Sequence, residues 1–107
     1  MTKSESVLLQ ISDEHGEQLA WGEQCNLRHI GLDPSRNDFG ECLSGGGPVG
    51  SADYVALMTL GIQLWIDEGP GGGHYNIMVN PDYKVLGCAT QLGRDAGGPD
   101  CWVKTCN

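Results

Sequence analysis

The segment SADYVALMTLGIQLWID, residues 51–67, is strongly apolar along nearly its whole length. Ser51 is suited to cap a helix N-terminus, and Asp53 would lie in the first turn, where a carboxylate interacts favourably with the helix dipole. A helix that is apolar on nearly all sides is typical of one buried on more than one side. The segment therefore predicts a buried helix from about Ala52 to Asp67.

The regions on both sides of this segment predict further elements. Before it, from about Val7 to Arg28, apolar and small residues recur at helical spacing, which predicts a first helix with one buried stripe. After it, a glycine loop is followed by three predicted strands, at 75–79, 84–91 and 101–106. Helices first and strands afterwards favour an α+β sandwich.

Length and charge limit the classes of function. The 107 residues suffice for a single domain, and the formal net charge is -8. A nucleic-acid-binding protein needs a basic face to displace counterions from phosphate, and the six basic residues are scattered, so we expect no nucleic-acid affinity. No apolar run is long enough to predict a transmembrane segment.

Five cysteines are a high count for so short a chain. No pair has the CxxC spacing of a zinc or redox site, which makes a metal–thiolate site a weak hypothesis. Buried free thiols in a cytosolic protein remain an alternative, but disulfides in an oxidising compartment are favoured. The cysteines are Cys25, Cys42, Cys88, Cys101 and Cys106.

Two histidines and two glutamates form the candidate site: His29, Glu41, Glu68 and His74. No HExxH or comparable spacing connects them, so their spacing alone favours scattered surface polar residues. Each lies at the end of a predicted element, beside glycine or a polar loop. Such a set can bind a divalent cation such as Zn²⁺, or carry out acid–base chemistry with Glu41 or Glu68. His15 shares a helical face with apolar residues and is interpreted as a packed core histidine.

Six short motifs resemble, in the same order, those of the CAP family (cysteine-rich secretory, antigen 5 and pathogenesis-related-1 proteins). They cover about four-fifths of the chain, from Cys25 to its end. They are Cys25-Asn26-Leu27-Arg28-His29, Gly40-Glu41-Cys42-Leu43-Ser44, Gln63-Leu64-Trp65-Ile66-Asp67-Glu68, Gly73-His74-Tyr75, Leu86-Gly87-Cys88-Ala89 and Trp102-Val103-Lys104-Thr105-Cys106-Asn107.

The resemblance implies a compact, disulfide-stabilised α-β-α sandwich spanning 1–107 as one domain that lacks much of the family's first helix. It implies a central cavity lined by the four candidate residues. It also implies disulfides between Cys88 and Cys106 and between Cys25 and Cys101. Cys42 is left over, where the family usually has Asn.

In function, the resemblance implies a secreted binding domain in defence, virulence or venom-like roles. Its cleft would take a divalent cation, Zn²⁺ or another, and a sterol, lipid or protein partner. A metal-assisted hydrolase, a protease or esterase using the same residues, is the competing hypothesis. Four protein ligands would leave little room for an activated water, which favours binding over catalysis. A third hypothesis is an assembly subunit in which Cys42 links chains.

Overall fold

The computed structural model describes residues 3–29, 40–50 and 53–107, with the backbone alone at positions 3, 4 and 54. These residues form three α-helices and one sheet of three strands, which confirms the α+β class. The helices are α1 (Lys3–Glu17), α2 (Tyr54–Asp67) and α3 (Gly73–Met78), and the strands are β1 (Cys42–Gly46), β2 (Cys88–Leu92) and β3 (Trp102–Cys106). A π-helical turn, Gln18–Gly22, continues α1, and a 3-10 turn, Gly93–Ala96, follows β2.

The sheet is antiparallel, and β3 lies between β1 and β2. Because side chains alternate along a strand, neighbouring residues of β3 face opposite sides of the sheet. Val103 packs on one side with Leu19 and Leu43, against the turn that continues α1. Trp102 and Cys106 pack on the other side, in clusters that contain α2 residues. Helices therefore cover both faces of the sheet.

Helix α1 lies unusually close to the segment that leads into β2. A Cβ atom at Gly87 would collide with the backbone of Leu8 and Leu9, so only glycine fits there. Ser12, fully buried on α1, donates a hydrogen bond from its Oγ to the Gly87 carbonyl oxygen (2.7 Å) and accepts one from Asn107 Nδ2 (2.8 Å). This network fixes α1 against the sheet and pairs the buried Ser12 hydroxyl with the Gly87 carbonyl and the Asn107 amide nitrogen.

Three predicted elements were wrong in extent or type. The strand predicted at 84–91 begins only at Cys88 and ends at Leu92. The first helix ends at Glu17 with its π-helical turn ending at Gly22, so it does not reach Arg28. The predicted strand at 75–79 is the short helix α3. The carboxylate of Glu68 accepts the backbone N–H groups of His74 (3.0 Å) and Tyr75 (3.4 Å), which satisfies donors at the start of that helix.

Helix α2 forms as predicted, with a correction to its cap and to its burial. Asp53, rather than Ser51, caps it by accepting the backbone N–H of Ala56 (2.8 Å); Ser51 lies outside the described residues. The predicted burial on several sides was wrong, because among the helix residues 55–67 only the row Leu57, Gly61 and Trp65 is buried. Its other large apolar side chains are exposed: Val55, Met58, Leu60, Ile62, Leu64 and Ile66.

Two disulfides are present. Cys88 is bonded to Cys106, which joins β2 to β3, and Cys25 is bonded to Cys101, which joins the segment after α1 to the start of β3. These are the two pairings that the resemblance implied. Cys42 is a free and buried thiol. Over the described ranges, no helix is long and apolar enough to cross a membrane.

Candidate functional site

The first part of the site is built on Glu41, which immediately precedes β1 and whose side chain is 1% exposed. Its two carboxylate oxygens lie 2.8 Å from His15 Nδ1 and 2.7 Å from His29 Nδ1. An ionised carboxylate only accepts hydrogen bonds, so each imidazole donates its Nδ1–H. In a neutral imidazole the Nε2 atom is then left as the acceptor or metal-binding nitrogen.

His15 belongs to this cluster, and its interpretation as a packed histidine missed the contact with Glu41. It lies on α1, on the helical face that carries Ile11 and Leu19. A polar side chain within an apolar row of a helix needs a hydrogen-bond partner when it is buried. This requirement could have indicated from the sequence that His15 contacts a polar or acidic residue. Which acidic residue supplies the partner depends on the packing of α1 against β1.

The second part of the site is the pair Glu68 and His74. Their side chains meet at 2.5 Å, between Glu68 Oε2 and His74 Nδ1. The hydrogen bond from His74, followed by those from the Tyr75 and His74 backbone, lowers the pKa of Glu68 although partial burial acts in the opposite direction. Gly72 allows the close approach, because a Cβ atom there would lie 2.5 Å from Glu68 Cβ.

The two parts flank Cys42. Burial, and then the negative charges of Glu68 and Glu41, raise the pKa of the Cys42 thiol to about 11. Cys42 Sγ lies 3.9 Å from the carbonyl oxygen of His74, whose ring stacks on Trp65 with centroids 5.8 Å apart. The four candidate residues therefore form two neighbouring Glu–His pairs, and His15 makes the Glu41 pair a triad.

In the structure the four candidate residues form two hydrogen-bonded pairs and are not grouped as one set of metal ligands. Each carboxylate is already hydrogen-bonded to an imidazole, and no hydrogen bond or ion pair among the described residues joins one pair to the other. Within the described part of the chain, no group of three or more His, Cys, Asp or Glu side chains is placed to hold a metal. In both pairs the carboxylate orients the imidazole by accepting a hydrogen bond from it. Carboxylates hydrogen-bonded to metal-binding histidines have the same effect.

A separate apolar cleft of about 830 Å³ lies near the end of the sheet, with walls from all three helices. Trp65 and Ile62 of α2, Ile77 and Met78 of α3, and Leu8 of α1 contribute apolar surface. Cys42, Cys88 and Cys106 line it too, as do Lys84, Asp82, Glu5 and Asn107. Its volume is within the range of small-molecule sites.

This cleft differs from the cavity that the resemblance implied, since its described lining includes none of His29, Glu41, Glu68 and His74. In comparisons with protein-family models, curated proteins and solved structures, nothing matches this chain. The hypotheses about its function therefore rest on the geometry of the cleft and of the two Glu–His clusters.

Proposed function

We propose that this protein is a secreted, CAP-like binding domain whose apolar cleft takes a small apolar ligand such as a sterol or an acyl chain. The observation that carries the proposal is the cleft itself. It is lined mainly by aliphatic and aromatic side chains from three helices, and a ligand that entered it would be removed from water on several sides. Burial of apolar surface stabilises such a complex by about 25 cal/mol per Å².

Two further features support a secreted domain. Two disulfides stabilise a chain whose small core alone would stabilise it weakly, and such disulfides persist in oxidising compartments. The net charge of -8 disfavours a polyanionic partner and leaves apolar contacts as the stronger source of affinity.

Binding can be tested by titration with a fluorescent fatty acid and, separately, with a fluorescent sterol. Met78 lines the cleft, whereas Val79, the next residue, is exposed and does not. We expect Met78→Glu to weaken binding about tenfold or more because the ligand would desolvate a carboxylate, and Val79→Glu to have little effect. No binding of either probe to the native chain, or equal losses in the two variants, would contradict the proposal.

The cation site and the hydrolase alternative stay predictions. For His29, Glu41, Glu68 and His74 to bind one Zn²⁺ ion, the Glu–His hydrogen bonds would have to open, and the gain in metal binding would have to exceed their loss. Calorimetry with Zn²⁺ at neutral and mildly acidic pH tests this on the native chain and on His74→Ala. A site of this kind binds more weakly in acid, since only neutral imidazole coordinates a metal. Identical titrations of the native chain and the variant would rule the four-residue site out.

A further inference from the structure

Three of the five cysteines lie side by side in one row across the sheet. Cys106 of β3 is directly opposite Cys42 of β1 on one side and directly opposite Cys88 of β2 on the other. Residues directly opposite each other in a sheet point to the same face, so all three sulfurs lie on the α2 side. They share one buried cluster with Trp65 and Ile77.

The backbone pairing indicates that Cys106 could bond to either neighbour. Gly87 and Asn107 exchange both of their backbone hydrogen bonds (3.0 and 2.9 Å), so the adjacent pair Cys88 and Cys106 is a non-hydrogen-bonded pair, with a Cα–Cα distance of 4.1 Å. The N–H and C=O groups of Cys106 therefore point toward β1. Opposite residues on that side lie about 5.5 Å apart, inside the disulfide range of about 4.4–6.8 Å.

Cys42 and Cys88 cannot bond to each other in this fold. They lie on the two outer strands, and two strand spacings amount to about 9–10 Å, beyond the reach of a disulfide. The middle position of Cys106 has a second consequence. A sulfur approaching it from Cys42 comes from the side opposite Cys88, which is the in-line direction that displacement at a disulfide requires.

We propose that Cys42, Cys106 and Cys88 form a thiol–disulfide exchange site that transfers the free thiol from the buried position 42 to the more exposed position 88. The pKa of the Cys42 thiol is about 11, so its minor thiolate form is the one that attacks Cys106 Sγ; the Cys42–Cys106 bond forms, and the Cys88–Cys106 bond breaks. Cys88 leaves as a thiolate and takes up a proton in place of the one that Cys42 released. The number of disulfides is unchanged, so the step needs no oxidant or reductant.

The exchange changes what the cleft offers to a ligand. All three cysteines line the cleft, but Cys42 is buried beneath His74 and Trp65, whereas Cys88 is half-buried on an outer strand of the sheet. In the exchanged form, the free thiol of the cleft wall therefore lies at the more accessible position 88. The ligand class that this site would take is an apolar molecule with a thiol-reactive group, bound first by the cleft and then through Cys88.

The direct test is alkylation of the folded native chain with N-ethylmaleimide, followed by non-reducing digestion and mass spectrometry. We expect one adduct, on Cys88, in the molecules that carry a Cys42–Cys106 disulfide, and the labelled fraction should grow with time. The Cys25–Cys101 bond serves as the internal control and should stay intact, which separates local exchange from general scrambling. An adduct on Cys42, or no adduct on the folded chain, overturns the proposal.

Two variants make the result independent of labelling efficiency. Cys42→Ser removes the attacking thiol, so Cys88 should no longer be labelled; labelling that persists overturns the proposal. Cys88→Ser removes the native partner of Cys106, and in the presence of oxidised glutathione Cys42 and Cys106 should then form a disulfide with each other. Free or glutathionylated thiols at both positions, with Cys25–Cys101 still bonded, show that the two strands cannot hold this bond and overturn it as well.

Discussion

Helices α1 and α2 cover opposite faces of the same sheet, and their sequences contrast with their burial. The α1 segment is mixed in character, with Ser12, Gly16 and His15 on its inner face, yet it packs closely on β2 and β3. The α2 segment has no charged residue between Asp53 and Asp67, yet most of its large apolar side chains are exposed. The burial of a helix is therefore decided by the surface that it meets as much as by its own hydrophobicity.

The size of the contacting side chains accounts for part of the difference. On α1, Ser12 and Gly16 allow the helix to approach the sheet along its length, where a Cβ at Gly16 would already lie 3.1 Å from Gln91 Cγ. On α2, the buried row of Leu57, Gly61 and Trp65 follows one narrow stripe. Close approach is needed at Gly61, where a Cβ would lie 2.5 Å from Lys104 Cδ.

The two Glu–His clusters show the same contrast between layers. Glu41, on the α1 side, is 1% exposed and accepts from two imidazoles, whereas Glu68, at the end of α2, is 30% exposed and accepts from one. The same Glu–His interaction thus occurs once buried from solvent, at Glu41, and once partly exposed to it, at Glu68. Hydrogen bonds to a buried charge contribute more than those to an exposed one, because water competes less well for the charge.

Truncating one apolar residue in each helical layer should show the largest difference in unfolding free energy. Leu19, next to α1, is fully buried, and Leu19→Ala should lower the free energy of unfolding by about 3 kcal/mol because it leaves a cavity. Val55 of α2 is 71% exposed, and Val55→Ala should change it by less than about 0.5 kcal/mol. Urea denaturation measures both values, and similar losses would mean that α2 is covered in solution.

Removing the buried carboxylate should have the next largest effect. Glu41→Ala leaves two imidazoles without their acceptor, and we expect a loss of about 2 kcal/mol in unfolding free energy. Glu14→Ala is the matched control on α1, because Glu14 is exposed and bonds only to Gln10 among the described contacts. If the two variants lose the same stability, the triad around Glu41 contributes nothing beyond a surface contact.

Replacing Lys104 should raise the unfolding free energy, whereas the two preceding substitutions lower it. Lys104 is 1% exposed on the α2 face of β3, and burial lowers the pKa of its ammonium group. Below the folded-state pKa the group is charged in both the folded and the unfolded chain, so the full cost of burying the charge is present there; this cost declines as pH rises through that pKa.

Lys104→Met keeps the buried stem and removes the charge, so it should raise the unfolding free energy by about 1 kcal/mol at pH 7, with a smaller gain near pH 10. Lys84→Met, at an exposed position, serves as the control. A loss of stability in Lys104→Met would mean that the ammonium group is paired in the fold.

The smallest effect should come from the exposed pair. The pKa of Glu68 is lower in the folded than in the unfolded state, so its contribution to stability is fully present above its ordinary pKa. That contribution is lost as pH falls through the folded-state value. Glu68→Gln should therefore lower stability slightly at pH 7 and leave it unchanged at pH 2. A difference that persists at pH 2 would trace to lost packing instead of charge.

Much of the fold followed from local sequence patterns, and the failures arose from contacts that those local patterns do not contain. Helix α2 and strand β3 were predicted within a few residues because each is a long or strongly patterned apolar segment. The segment at 75–79 carries β-forming residues, but the acceptor that makes it a helix is the carboxylate of Glu68, which the glycine loop brings back to it. Such a contact cannot be read from residue propensities.

For the candidate site, too, some features could be predicted from the sequence and others depended on the tertiary structure. Residue types and spacing indicated His29, Glu41, Glu68 and His74 only weakly, and the CAP-like motifs around them made them the candidate site. Their grouping into two Glu–His pairs, and the inclusion of His15, depend on where α1 and the glycine loop lie in space.

By itself, the sequence determined the α+β class, the position of α2 and β3 and the cysteine content, because these depend on periodicity and composition over short segments. Tertiary structure alone decided the exposure of α2, the partners of Glu41 and the alignment of Cys42, Cys106 and Cys88 in one row. Those properties arise from contacts between residues far apart in the chain, whose energies depend on the final packing and not on any one segment.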